Sequence, residues 1–344
     1  MTGLEWWLPL IWAGIIGVAV ALYVILDGFD LGIGMLFPFA KDNEERDQMM
    51  ASIAPFWDGN ETWLVMGGVG LLVAFPLAYA IVMPALYLPV IVMLLALVFR
   101  GVAFEFRELG ANKALWNTAF AGGSTLAGFA QGVILGGMIQ GIAVKDGAYA
   151  GGTFDWATPF ALLCGFGVSF GYALLGATWL VMKTSGELQT KALAWTRWGL
   201  AWVALGVALV SLATPLVSET VQAKWFTQFP FVPRSYWLAL LPLATLAAGI
   251  WVWRATGQLK KDAAARDWTA FAGAISIFTL AFAGLAYSIF PYVVIDRITL
   301  WQAASHPTAL KMVLIGVGLV LPFLLGYTIF AHRVFRGKAQ ALLH

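Results

Sequence analysis

Two carboxylates lie three residues apart inside an apolar run: Asp27 and Asp30, in Asp27-Gly28-Phe29-Asp30-Leu31-Gly32-Ile33-Gly34, within the hydrophobic stretch from Leu8 to Phe39. A run of that length crosses a bilayer, since about 20 residues rising roughly 1.5 Å each span the hydrocarbon. An ionisable side chain inside such a segment costs about 2.5–3.5 kcal/mol on insertion scales, so it is a functional-site hypothesis by default. The spacing recurs in Trp57-Asp58-Gly59-Asn60-Glu61-Thr62-Trp63, as Asp58 and Glu61, and a third apolar run carries Arg100 followed by Glu105. Carboxylate chains in membranes relay protons, and proton transfer is the chemistry these residue types suggest.

On a regular helix, residues at i,i+3 share a face, so each acid pair should point one way. Arg100 and Glu105 are about 140° apart on an ideal helix, which predicts that Arg100 points to a carboxylate on another helix. A plainer reading competes with the relay. Asp30, Asp58 and Glu61 would then be caps at the membrane interface, where acids suit a positive helix N-terminus, and an Arg100–Asp pair would only hold helices together. Asp27 and Arg100 have apolar flanks, which favours burial and function for these two. Trp57 and Trp63 read first as interface anchors, and Pro55, Pro84 and Pro89 as span breaks and kinks.

The elements that must position these groups are membrane helices. The chain has 344 residues, 61% hydrophobic and only 11% charged, whereas a soluble domain carries about 25% charge. The expectation is an all-α, polytopic membrane helix bundle with about nine transmembrane helices, near residues 8–37, 58–76, 80–106, 115–143, 158–182, 197–217, 236–253, 268–290 and 309–332. With the N-terminus outside, 14 of the 20 Lys and Arg fall on the inner side, five on the outer, and Arg100 within a span. The positive-inside rule therefore favours a periplasmic N-terminus and a cytoplasmic C-terminus, which sets all six ionisable groups in the cytoplasmic half. The fourth span contains Gly128-x-x-x-Gly132 and Gly132-x-x-x-Gly136, spacings that favour close helix contacts within the bundle. The first and fifth spans share a faint Tyr and Gly pattern, Tyr23 to Gly28 and Tyr172 to Ala177, yet the fifth carries no carboxylate.

Other classes are excluded by what the chain lacks. Its one cysteine, Cys164, allows no intrachain disulfide and no cysteine cluster. The histidines are His306 in an outer loop, His332 at the inner end of the last span, and His344 at the end of the chain. None lies mid-membrane, and a haem generally needs an axial His, Cys, Met or Tyr, so a haem is not expected here, with ten methionines as a remote alternative. No Walker loop, dinucleotide fingerprint, HExxH or basic run for nucleic acid occurs. The start of the chain lacks a basic n-region and reads as a retained first helix. Polar residues concentrated in the first half argue against the rival reading, a proton-coupled secondary transporter; a purely structural membrane scaffold is the other.

Three stretches, Asp27 to Gly34, Ser52-Ile53-Ala54-Pro55-Phe56-Trp57-Asp58-Gly59-Asn60-Glu61-Thr62-Trp63-Leu64, and Phe99-Arg100-Gly101-Val102-Ala103-Phe104-Glu105-Phe106-Arg107, resemble subunit II of the cytochrome bd-type quinol oxidases. The Ala103 to Arg107 ending is closer to the cyanide-insensitive branch. The resemblance implies a respiratory complex of the bacterial cytoplasmic membrane that oxidises quinol and reduces oxygen to water. Two b-type haems, one d-type haem and the quinol site would then belong to subunit I, with no haem, metal or catalytic residue in this chain. It further implies one integral membrane domain over 1–344, mostly two four-helix bundles: a first half, 1–143, with the polar motifs, a second, 158–290, and a final helix, 309–332. Subunit I is the expected partner, with membrane lipid and quinone, and a small single-helix accessory subunit fits such complexes. By motif match, Asp58 leads the proton-pathway candidates, with Asp27, Asp30, Glu61, Arg100 and Glu105 beside it, and Trp63 falls at a position associated with oxygen access.

Overall fold

The computed structural model describes residues 3–109, 112–227, 233–262 and 265–339; His344 lies outside them. The chain begins with α1 (Leu4–Leu36), whose last third holds the Asp27–Gly34 run. After a 3-10 turn comes α2 (Asn43–Ala51), a short polar helix begun by Asp42, whose side chain accepts from the Glu45 amide at 3.0 Å. Then follow α3 (Trp57–Ala74), α4 (Pro76–Leu109) and α5 (Lys113–Ile139). A hairpin, β1 (Val144–Lys145) with β2 (Ala148–Tyr149), leads to α6 (Pro159–Lys183) and α7 (Gly186–Val217). The one-turn α8 (Glu219–Gln222) and a π-turn precede α9 (Pro233–Lys261) and α10 (Trp268–Ile289). A second hairpin, β3 (Tyr292–Val294) with β4 (Ile298–Thr299), the short α11 (Leu300–Ala303) and α12 (Pro307–Val334) complete the described chain.

Among the described residues, eight helices are long and apolar enough to cross a membrane: α1, α4, α5, α6, α7, α9, α10 and α12. The ninth expected span is α3, and it falls short on composition because Asp58, Asn60 and Glu61 lie among its first five residues. Its 18 residues still rise about 27 Å. The carbonyls at its far end do not go unpaired: Ser305 donates its amide to Ala74 (2.9 Å) and its hydroxyl to Val73 (2.6 Å).

Helix α1 is the axis on which the rest packs. It contacts α3, α5 and α6, while α5 also packs on α4 and α6, α7 on α6 and α9, and α10 on α6 and α9. α12 lies outermost, against α1 and α3, where Trp12 donates its indole N–H to the Leu310 carbonyl at 3.2 Å.

Small residues make the α1–α6 contact. A Cβ added to Gly32 would stand 1.8 Å from the Tyr172 carbonyl oxygen, and one added to Gly176 would stand 2.5 Å from the Gly32 backbone. The α5 glycines are likewise spent inside the chain, Gly132 against Cys164 and Gly136 against Ala161 of α6. α4 is bent at Leu86 (φ −119°, ψ 17°), between Pro84 and Pro89. Pro89 has no N–H to offer the preceding turn and its ring crowds the carbonyl four residues back. Below this kink α4 continues to Arg100. The core surrounds the end of α1, where Phe29 stacks on Trp179 with ring centroids 4.0 Å apart.

Candidate functional site

Asp27 and Asp30 are fully buried, and so, at 1% exposure, is Arg100. The kinked α4 delivers the guanidinium to the face of α1 that bears both acids. Arg100 Nη1 donates to Asp27 Oδ1 at 2.7 Å and to Glu61 Oε1 of α3 at 3.0 Å. Asp30 Oδ2 lies 3.9 Å from Arg100 Nη2, too long for a hydrogen bond, and instead accepts from Asn60 Nδ2 at 2.7 Å. Asn60 also reaches the Leu26 carbonyl at 3.3 Å, so α3 is stitched to α1 at two points.

Three carboxylates thus face one guanidinium. With all of them ionised the cluster would hold two negative charges in excess, a state that burial strongly disfavours. Asp27 Oδ2, Asp30 Oδ1 and Arg100 Nη2 are buried without a hydrogen-bond partner, so the cluster keeps unused donor and acceptor capacity where most buried groups have none. Glu61 is the least buried of the four, with 29% of its side chain exposed. It lies on the same stripe of α3 as exposed Val65 and Val69.

Four of the six candidate groups therefore meet, and two do not. Asp58, one turn before Glu61, is exposed and close enough to it for their charges to interact. Glu105 is exposed and turned away from the cluster. Trp63 is not an interface anchor. It is 1% exposed and packs with Ala19 and Tyr23 of α1 and with Leu321, Leu324 and Leu325 of α12.

The residues that sequence reasoning passed over are uncharged. Besides Asn60 they are Tyr23, Gln131 and Tyr172: Gln131 Nε2 donates to the Tyr23 hydroxyl at 2.7 Å, and the Tyr172 hydroxyl donates to Gln131 Oε1 at 2.6 Å. The paired Tyr23 and Tyr172 patterns of two spans were the available signal. Arg107, assigned to a loop by its position, is instead buried; it pairs with Asp47 of α2 and donates Nε to Asn117 at 2.6 Å.

No group of three or more His, Cys, Asp or Glu able to hold a metal ion occurs among the described residues. His332 is the one described histidine near the core. Its Nδ1 lies 2.9 Å from the Thr328 carbonyl, and its ring is packed 4.6 Å from Phe56 with Phe29 and Trp179 edge-on. Its Nε2 is buried without a hydrogen-bond partner.

A family model described as cytochrome bd terminal oxidase subunit II matches residues 8–335. The chain belongs to that family. It is 30% identical to cytochrome bd-I ubiquinol oxidase subunit 2 of Escherichia coli over 373 aligned positions, covering 96% of this chain and 95% of the relative. It is 28% identical to cytochrome bd ubiquinol oxidase subunit 2 of Bacillus subtilis over 348 positions, covering 96% of each. The fold is similar to bd oxidase from Geobacillus thermodenitrificans, with a TM-score of 0.74, 16% identity, and coverage of 95% of this chain and 98% of that one. As a bd oxidase subunit II the chain is part of a respiratory quinol oxidase, with a subunit I as partner and haem in the complex. Its apolar helices make it a multi-pass protein of the bacterial inner membrane.

Proposed function

We propose that this chain is the haem-free subunit of its oxidase and that the acids of α1 and α3 line a proton route from the cytoplasm toward the oxygen chemistry of subunit I. The reading assigns two b-type haems, one d-type haem and quinol oxidation to subunit I, and no catalytic residue to this chain. The excess of Lys and Arg on one side supports an inner location for the cluster. One observation carries the reading: three carboxylates converge on Arg100 while two of their buried oxygens stay unpartnered. Exposure falls in steps, from exposed Asp58 through part-exposed Glu61 to fully buried Asp27, as a surface-to-interior relay requires.

The test is Asp58→Asn, and separately Asp27→Asn, in the purified two-subunit oxidase. Both variants should slow oxygen reduction and its coupled proton uptake while the haem spectrum of the complex is retained. Full rates with an ordinary pH dependence would assign these acids to capping and helix packing, and leave the subunit a scaffold. Membership of an oxidase family removes the case for a transporter.

A further inference from the structure

Asp27 uses one oxygen on Arg100 and keeps Oδ2 buried and unpartnered. One turn earlier on the same face of α1 stands Tyr23, 4% exposed and held against Trp63. The Tyr23 oxygen accepts from Gln131, so its own proton is left over, and one turn further along the same face of α1 stands Asp27, an acid with which it interacts.

The direction of this chain follows from proton counting. Tyr172 donates to Gln131 Oε1, which turns the amide N–H toward Tyr23. With the amide reversed, Oε1 would take the Tyr23 proton and leave Asp27 without it. The amide orients and does not itself carry a proton. The Tyr172 ring that meets this amide is held in place. Its ring fits between two glycines: a Cβ on Gly28 of α1 would lie 2.8 Å from it, and one on Gly128 of α5 would lie 3.0 Å from it. On its other side Phe278 of α10 lies parallel, with centroids 6.1 Å apart.

We infer that Gln131 and Tyr172 are positioning residues: through Tyr23 they aim one hydroxyl proton at the free oxygen of Asp27, and so tie the seating of α6 on α1 to the proton occupancy of the acid cluster. The inference rests on the relay reading of Asp27. The titratable and charged groups facing Asp27 are Tyr23 and Asp30 from α1, Glu61 from α3, Arg100 from α4 and Tyr172 from α6.

The experiment measures proton uptake during turnover of the assembled oxidase as a function of pH. The variants are Tyr23→Phe, Gln131→Leu, Tyr172→Phe, the double Tyr23→Phe/Gln131→Leu, and Asp27→Asn as reference, with haem content as the check on assembly. Tyr23→Phe and Gln131→Leu should each slow uptake by about 10-fold or more, the fold-change for losing a hydrogen bond to a charged group. They should also move the pH profile in the same direction. The double variant should be no slower than Tyr23→Phe alone, because both remove one contact. Additive losses, or slower uptake with an unmoved pH profile, would make Gln131 a packing residue and overturn the inference. Wild-type uptake in Tyr23→Phe beside slow uptake in Asp27→Asn would overturn it while the relay stands. Wild-type uptake in Asp27→Asn would overturn both. If Gln131→Leu fails to assemble, the two Tyr→Phe variants, which each delete one oxygen, decide the matter.

Discussion

At the scale of single residues, the controlling number is the burial of Arg100, 1% exposed beside carboxylates at 2.7 and 3.0 Å. Removing one partner of a buried ion pair strands the other, which costs about 3–5 kcal/mol. Arg100→Leu should therefore sharply lower the yield of haem-containing complex, and Arg100→Lys should restore only part, since one ammonium cannot serve carboxylates on two helices as a planar fork does. Adding Asp27→Leu to Arg100→Leu should recover some assembly; haem content per milligram of membrane protein checks all three. Normal yield for Arg100→Leu would mean that the guanidinium is solvated in the complex. Asp27 and Arg100 were legible in the sequence because a charge in an apolar run has few explanations. The i,i+3 spacing of Asp58 and Glu61 showed a shared face but not which acid would turn inward. Asn60 and Gln131 gave no signal at all, since a neutral amide on a helix reads the same whether it faces solvent or a carboxylate.

At the scale of helices, the seating of α1 on α6 depends on two absent side chains. A Cβ at Gly32 would overlap the Tyr172 carbonyl, so even Gly32→Ala must push the helices apart, whereas a Cβ at Gly68, on the exposed side of α3, meets nothing within 4 Å. Gly32→Ala should destabilise the complex by about 1–3 kcal/mol or more, as overpacking does, and Gly68→Ala should be neutral or slightly stabilising through better helix propensity. Thermal denaturation followed by loss of the haem spectrum would measure both; equal effects would show that α1 and α6 are not in backbone contact. The long helices were readable from hydropathy alone, and the α4 kink from its two prolines. α2 was not, because nine residues rich in charge look like any polar loop until Asp42 caps them and their acids find partners.

At the scale of the molecule, α2 ties together elements far apart in the chain. Its Asp47 pairs with Arg107 of α4 and lies 3.7 Å from Lys113 of α5, and its Glu45 meets Lys191 of α7 at 2.6 Å. Burial pushes the Glu45 carboxyl upward, but hydrogen bonds from Lys191 and the Lys41 amide outweigh it and hold the group below its ordinary value of 4.5. A lowered folded-state value means this tie is fully present above pH 4.5 and is lost as the pH falls below it. Amide exchange of Asn43–Ala51, corrected for intrinsic rates, should rise only below that pH in the wild type and at every pH in Glu45→Gln; no difference between the two would show that the Glu45–Lys191 pair does not hold α2. The arrangement of Asp27 and Arg100 also constrains the order of biosynthesis. The two partners are separated by 73 residues. At about 5–20 residues per second the ribosome needs several seconds to cover that distance. Until then α1 carries two carboxylates and no counter-ion, and the free energy of pairing them arrives only with the fourth helix. The polar end of the first helix is thus completed by a later one, and a nascent chain that stops before Arg100 keeps its acids unpaired.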